Sequence, residues 1–382
     1  MTAVDPRKPT ILSLQAGRGL AALAVVLMHS AMAGRDFGGS PFFGYTILQF
    51  GWTGVDFFFV LSGFIIYHST AGRGRTLGDY AGARFRRIYL PYWPIGIGMA
   101  LLYLALPGVS GSTRAWSWLP TLTLLPVDAD TALSVAWTLK HEVLFYLLFG
   151  LFYFSGLLPL GLAGWALCIA IGGDHLPFHA VNLEFLFGIG DAVLYRSGRA
   201  HPALALFAPL FLGAWIWGGA DESHRVLIGA AFACLIAPLA EWEKRGLSVP
   251  APLVLLGAAS YSLYLIHLPI VSGVARILHN GWAILGCAAV ASLIGGFAYH
   301  FAFEQRVIRR RANPEVSRER EPNASPPSPT KAPLNACSGS GIRRRTLATA
   351  ARRSRFAGPA SSFGRTTDCA GSSASRRGSR PT

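Results

Sequence analysis

Apolar residues in this chain come in long blocks broken by short polar gaps, not in the alternation of a surface strand or the narrow stripe of a surface helix. The blocks fall near 12–33, 46–68, 88–106, 133–154, 157–172, 179–195, 202–218, 225–240, 252–272 and 282–303. A bilayer core of about 30 Å is crossed by roughly 20 apolar residues in an α-helix. The pattern therefore predicts an all-α, polytopic integral membrane bundle of about ten transmembrane helices. The apolar stretch 116–127 is shorter and carries Pro120 and Pro126, so it reads as interfacial or re-entrant. The first block exceeds the apolar region of a signal peptide and contains Arg18, which makes it a retained helix. No internal repeat is visible.

Composition sharpens this picture. The 382 residues are 52% apolar and 14% charged, against roughly 25% charged in a soluble domain. The formal net charge is +15, and from residue 312 onward thirteen Lys/Arg face four Asp/Glu. The excess basicity thus belongs largely to a Ser/Pro/Gly/Ala/Arg-rich tail without apolar periodicity, for which disorder is the expectation. The chain divides into a transmembrane domain, 1–311, and that tail, 312–382. The tail has almost no aromatic residues, so a nucleic-acid platform is not expected; contact with anionic membrane lipid is. Five cysteines form no ligand pair and read as small apolar residues.

Arg7, Lys8, Arg73, Arg75, Arg84, Arg86, Arg87, Arg196, Arg199, Lys244, Arg245 and the 309–311 arginines fall on one side of a ten-span topology. Asp36, Asp128, Asp130, Asp174, Asp221 and Glu222 fall on the other. The excess of Lys/Arg in cytoplasmic loops then sets both termini inside, in a cell's inner (plasma) membrane.

Ionisable groups inside a span cost at least about 2.5–3.5 kcal/mol each, so each one that persists needs a reason. Arg18 and His29 lie eleven residues apart on the first span, on one helix face and separated by roughly 16 Å. Arg18 could simply snorkel to the inner headgroups, and His29 could be a satisfied core histidine. Asp56 lies in GWTGVDFFFVLSGF, Glu142 in AWTLKHEVLFY and His267 in SYSLYLIHLPI. By position along their spans, His29, Asp56, Glu142 and His267 share a depth. They are expected to face one polar cavity, either as structural pairs or as a reaction site. His29 is the natural general base, since imidazole titrates near neutrality. Asp56 or Glu142 beside it would fix its tautomer. Its target would be a hydroxyl that attacks a thioester, whose oxygen then needs cationic or N–H support.

Other patterns carry less. His141-Glu142 opens like a zincin motif, but Phe145 stands where the second histidine is required, so no metal site is expected. His175 and His179 flank Pro177 and read as loop residues. Gly17-Arg18-Gly19 lacks the Lys-Ser/Thr of a phosphate loop. The basic loop GRGRTLGDYAGARFRR either marks the inner side or holds phosphates, a task suited to arginine.

Taken together and in order, LQAGRGLAALAVVLMH, GWTGVDFFFVLSGF, RFRRIYLPYW, AWTLKHEVLFYLLF, SYSLYLIHLPI and FAFEQRV with Glu304 resemble the acyltransferase 3 membrane proteins. The resemblance covers roughly residues 11–308, and WTLKHEVLFY is similar to members that O-acetylate exopolysaccharides. It implies an acyl-CoA donor, acetyl-CoA in particular, used as co-substrate with no bound cofactor. It also implies a carbohydrate acceptor and a membrane-embedded site. In the family's pattern the essential Arg and His map onto Arg18 and His29, the aspartate onto Asp56 and the glutamate onto Glu142. The arginine cluster maps onto Arg84, Arg86 and Arg87, with the assignment among them open. The implied reading is donor binding by Arg18 and Arg84–Arg87, with His267 also at the substrate. His29, oriented by Asp56 or Glu142, deprotonates the acceptor or takes the acyl group transiently. The competing reading is a transporter of a lipid-linked sugar, which would use intramembrane charges equally well. Oligomeric state is not legible.

Overall fold

The computed structural model describes residues 10–39, 42–109, 115–173, 175–221 and 224–310, all within one unit spanning Met1–Pro322. The expected tail, 312–382, lies outside them, as do Arg7, Lys8, Arg114, Asp174, Glu222, Arg311, Cys337 and Cys369. Among the described residues every regular element is a helix. In order these are α1 (Leu12–Phe37), α2 (Gly44–Leu48), α3 (Thr53–Thr70), α4 (Leu77–Ala105), α5 (Trp118–Thr123), α6 (Trp137–Phe154), α7 (Leu158–Gly172) and α8 (Leu183–Arg196). There follow α9 (Ala208–Trp217), α10 (Arg225–Lys244), α11 (Ala251–Ala258), α12 (Ser260–Ile277), α13 (Gly281–Tyr299) and α14 (Gln305–Arg310).

Among the described residues, six helices are long and apolar enough to cross a membrane: Leu12–Phe37, Gln49–Thr70, Leu77–Ala105, Ser134–Phe154, Arg225–Lys244 and Gly281–Val307. The pair α11–α12 passes the same test as a single broken span bent by 66°. The remaining expected spans are helical as α7, α8 and α9, with 15, 14 and 10 residues. At 1.5 Å per residue they rise only about 15–23 Å, short of a full bilayer core. Apolar run length alone thus does not separate a full crossing from a short buried helix.

Within the bundle α3 and α8 cross in backbone contact, and glycine makes this possible. A Cβ on Gly63 of α3 would lie 2.0 Å from the Phe185 carbonyl of α8, and one on Gly188 would lie 1.8 Å from the Val60 carbonyl. The two backbones therefore pack at a distance only glycine allows, as small residues permit between membrane helices. Gly19 and Gly257 do the same for α1 against α11. The glycines around Arg18 are thus packing residues.

The stretch expected to lie at the interface folds as α5 and docks on α4. A six-residue helix leaves its last carbonyls without helical partners. Tyr92 Oη donates to the Thr121 carbonyl at 2.8 Å and Trp93 Nε1 to the Leu122 carbonyl at 2.9 Å. Tyr89 Oη donates to the Thr123 carbonyl at 2.5 Å. On the other side of α4, Tyr261 and Tyr299 donate to the Ile88 and Pro91 carbonyls.

Candidate active site

A polar cavity, about 770 Å³ including its open mouth, lies between α1, α3, α4, α6 and the start of α12. Arg18, Arg84, Arg87 and Glu142 all reach it. Arg84 and Arg87 share a face of α4 by their three-residue spacing, whereas Arg86 is exposed and does not line it. This separates the three arginines that the sequence left equivalent. On α6, Thr138, Glu142 and Tyr146 form one stripe at i, i+4, i+8. Tyr146 Oη donates a short hydrogen bond to Glu142 Oε1, and Ser62 Oγ donates to the same oxygen at 3.3 Å. The break between α11 and α12 brings Ser260 and Tyr261, at the amino end of α12, into the lining. Three guanidiniums face one carboxylate there, so the cavity favours an anion. Glu304 lies close enough to act on Arg18 and Arg87. It is held by His300 Nδ1 at 2.7 Å and Ser262 Oγ at 2.6 Å within a π-helical turn, His300–Glu304.

His29 and Asp56 are not in that lining. His29 Nδ1 lies 3.0 Å from the Val25 carbonyl and 3.3 Å from His267 Nε2. His267 Nδ1 in turn lies 2.7 Å from the Tyr264 carbonyl. A carbonyl only accepts, so the His267 proton sits on Nδ1 and its Nε2 offers a lone pair. His29 Nδ1–H is then shared between Val25 and His267, and the lone pair on His29 Nε2 meets no hydrogen-bond donor among the described residues. The residue orienting His29 is therefore another histidine, not the expected Asp56 or Glu142. His267 is fully buried against His29 and does not line the cavity expected to bind substrate. The pair stays close to the cavity: the His267 and Tyr264 rings are 5.7 Å apart, and Tyr264 is a lining residue.

Asp56 belongs to a third cluster. Arg225 Nε and Nη2, from α10, each lie 2.9 Å from Asp56 Oδ1, with side-chain exposures of 8% and 0%. Glu184 of α8 is the next charge acting on Asp56. The reason is helical phase. At about 100° per residue, Asp56 shares the stripe of Val60 and Gly63, which faces α8. Ser62, six residues on, is turned about 120° away, toward the cavity. The four groups expected in one pocket are thus divided between opposite faces of α3 and the α1–α12 contact. Arg225 and Glu184 were not singled out in the sequence. The signal was present, since both are charges within or at the edge of apolar runs.

In the loop before α6, the Leu176 amide and then His175 hold the Asp128 carboxyl below its usual range.

A family model described as an acyltransferase domain, of the acyltransferase 3 type, matches residues 11–301. The chain belongs to the acyltransferase 3 family. It is 30% identical over 296 residues to the exopolysaccharide production protein ExoZ of Rhizobium meliloti (strain 1021), covering 68% of this chain and 90% of that one. It is also 25% identical over 395 residues to the acyltransferase MdmB of Streptomyces mycarofaciens, covering 85% of this chain and 97% of that one. No solved structure matches it. The chain is therefore a membrane acyltransferase, and its arginine-lined cavity with Glu142 lies within the matched region.

Proposed function

We propose that this acyltransferase moves an acyl group, acetyl in the simplest case, from acyl-CoA to a hydroxyl of a carbohydrate such as an exopolysaccharide or its lipid-linked precursor. The observation that carries this is the convergence of Arg18, Arg84 and Arg87 on one cavity that also holds Glu142. Guanidiniums match phosphate oxygens in a planar, bidentate way, and coenzyme A offers several phosphates. The name of the ExoZ relative supports the carbohydrate side of the reading.

In this reading both termini and the Arg84–Arg87 end of α4 lie on the cytoplasmic side of the inner membrane, where acyl-CoA is available. The short helices α7, α8 and α9 complete a ten-segment membrane domain. The thioester comes to rest at the inner end of the His267–His29 pair. His29 Nε2 takes the proton of the acceptor hydroxyl as the oxygen attacks the thioester carbon. The C–S bond then breaks, and the thiolate of coenzyme A takes up a proton as it leaves. His267 keeps the His29 proton on Nδ1 so that Nε2 stays basic. Glu142 offsets part of the arginine charge and, through Tyr146 and Ser62, holds the cavity wall. Asp56 is a strut.

The test is turnover of acetyl-CoA with a polysaccharide acceptor by purified protein and by His29→Ala. A drop of at least about 100-fold, the scale of general-base catalysis, is expected. Unchanged turnover would remove His29 from the chemistry. The bent α11–α12 pair also suits a transporter of a lipid-linked sugar. That reading predicts no acetyl-CoA binding by the purified protein.

A further inference from the structure

A second cavity, about 670 Å³ including its mouth, is lined by Asp128, Trp137, Lys140, His141, Leu176, His179 and Arg225. It shares no lining residue with the arginine cavity. Phe59 stands between the two: it lines the first, and its ring lies 6.4 Å from Trp137 and 6.0 Å from His141 of the second. The motif WTLKHE thus serves both, with Thr138 and Glu142 turned to one side and Trp137, Lys140 and His141 to the other.

The hydrogen bonds in this second cavity fix its polarity. Asn182 Nδ2 donates to the Leu176 carbonyl at 2.8 Å, which orients the amide so that Oδ1 meets His141 Nδ1 at 2.9 Å. His141 therefore carries its proton on Nδ1, and Nε2 is an acceptor. His179 is the converse. Its Nδ1 accepts from the Val181 amide at 3.2 Å, so its proton lies on Nε2, a donor. The two rings are 5.8 Å apart. Lys140 Nζ donates to the Val127 and Ala129 carbonyls, both at 2.9 Å, and so holds the preceding loop at the rim. Trp137 is 37% exposed within this polar ring, and the Arg225 guanidinium lies 5.8 Å from its ring centre.

A part-exposed indole beside an imidazole acceptor suits a ring that is apolar on its C–H face and carries hydroxyls at its edge. The geometry points to this cavity as a carbohydrate site, with a sugar ring on Trp137 and one hydroxyl donating to His141 Nε2. Naming that sugar as the acyl acceptor rests on the reading given under Proposed function; the binding itself does not. His141, whose zincin-like pairing carried nothing in the sequence, thereby acquires a role.

The experiment uses the full chain in lipid nanodiscs, with methyl β-glucoside as probe and glycerol as a control for nonspecific polyol contact. Saturation-transfer NMR reads sugar binding, and calorimetry reads acetyl-CoA binding. Ring-proton saturation is expected in the native protein and not with glycerol. It should fall at least fivefold in Trp137→Leu and His141→Gln, while acetyl-CoA affinity changes less than twofold. Arg84→Ala should do the reverse. Trp137 is partly exposed, so Trp137→Leu carries the test if His141→Gln does not fold. Absence of saturation in the native protein, or native saturation in Trp137→Leu, overturns the proposal. Sugar binding without any acetyl-CoA binding would support the site and overturn the acyl-CoA reading alone.

Discussion

The Asp56–Arg225 pair joins α3 to α10 inside the bundle, and its energetics decide whether Asp56 is a strut. Two unit charges at about 4 Å attract by about 4 kcal/mol at an effective dielectric near 20. Both groups are nearly sealed from solvent, and Arg225 meets Asp56 through two nitrogens. Arg225→Met would strand a carboxylate that is left facing only the buried Glu184 carboxyl. Removing one member of a buried pair costs about 3–5 kcal/mol, whereas replacing both with apolar residues of similar volume is often near neutral. The expected pattern is therefore strong destabilisation in Arg225→Met and in Asp56→Leu, with most of it recovered in the double variant. The resulting coupling energy is about 3 kcal/mol. Reversible unfolding in mixed micelles across the four-member cycle measures it. A coupling below about 0.5 kcal/mol, the range of exposed ion pairs, would refute the assignment of Asp56 as a buried strut.

Gly188→Ala should force α3 and α8 apart and cut folded yield severely, since its Cβ would meet a backbone carbonyl at 1.8 Å. Gly190→Ala, with nothing within 4 Å, should fold normally, and size-exclusion profiles compare the two. Arg84→Ala should weaken acetyl-CoA binding at least tenfold, about 1.4 kcal/mol, while exposed Arg86→Ala should change it less than twofold; equal effects would argue against the cavity as donor site. His267→Phe removes one of the two acceptors of His29 Nδ1–H, leaving the Val25 carbonyl, and is expected to lower kcat at least tenfold with KM for acetyl-CoA nearly unchanged, so a KM effect alone would make His267 a packing residue.

Hydrophobic run length and interrupted polarity determined most of the architecture by themselves. They fixed an all-helical membrane protein and the position of every expected span as a helix. They also marked Arg18, Arg84, Arg87 and Glu142 as charges that need a reason to be there, but they put Glu142 in one pocket with His29, Asp56 and His267, which the structure divides. This was legible because the membrane makes each buried charge expensive, so such residues stand out against an apolar background. Even Arg225 and Glu184 carried that signal. What sequence could not provide was partnership. Depth along a span can be counted, but the face a residue presents depends on which helices pack on either side. Asp56 and Ser62 lie two turns apart on one helix yet belong to different clusters, because Gly63 and Gly188 let α8 come into backbone contact along the Asp56 stripe. His267 became the partner of His29 because α12 crosses α1 there, and Arg86 was separated from Arg84 and Arg87 only by helical phase. The tautomers of His29, His141 and His179 were settled last of all. They depend on single hydrogen bonds to carbonyls, an amide oxygen and a backbone N–H, partners brought together by tertiary packing and local turn geometry and not by any motif.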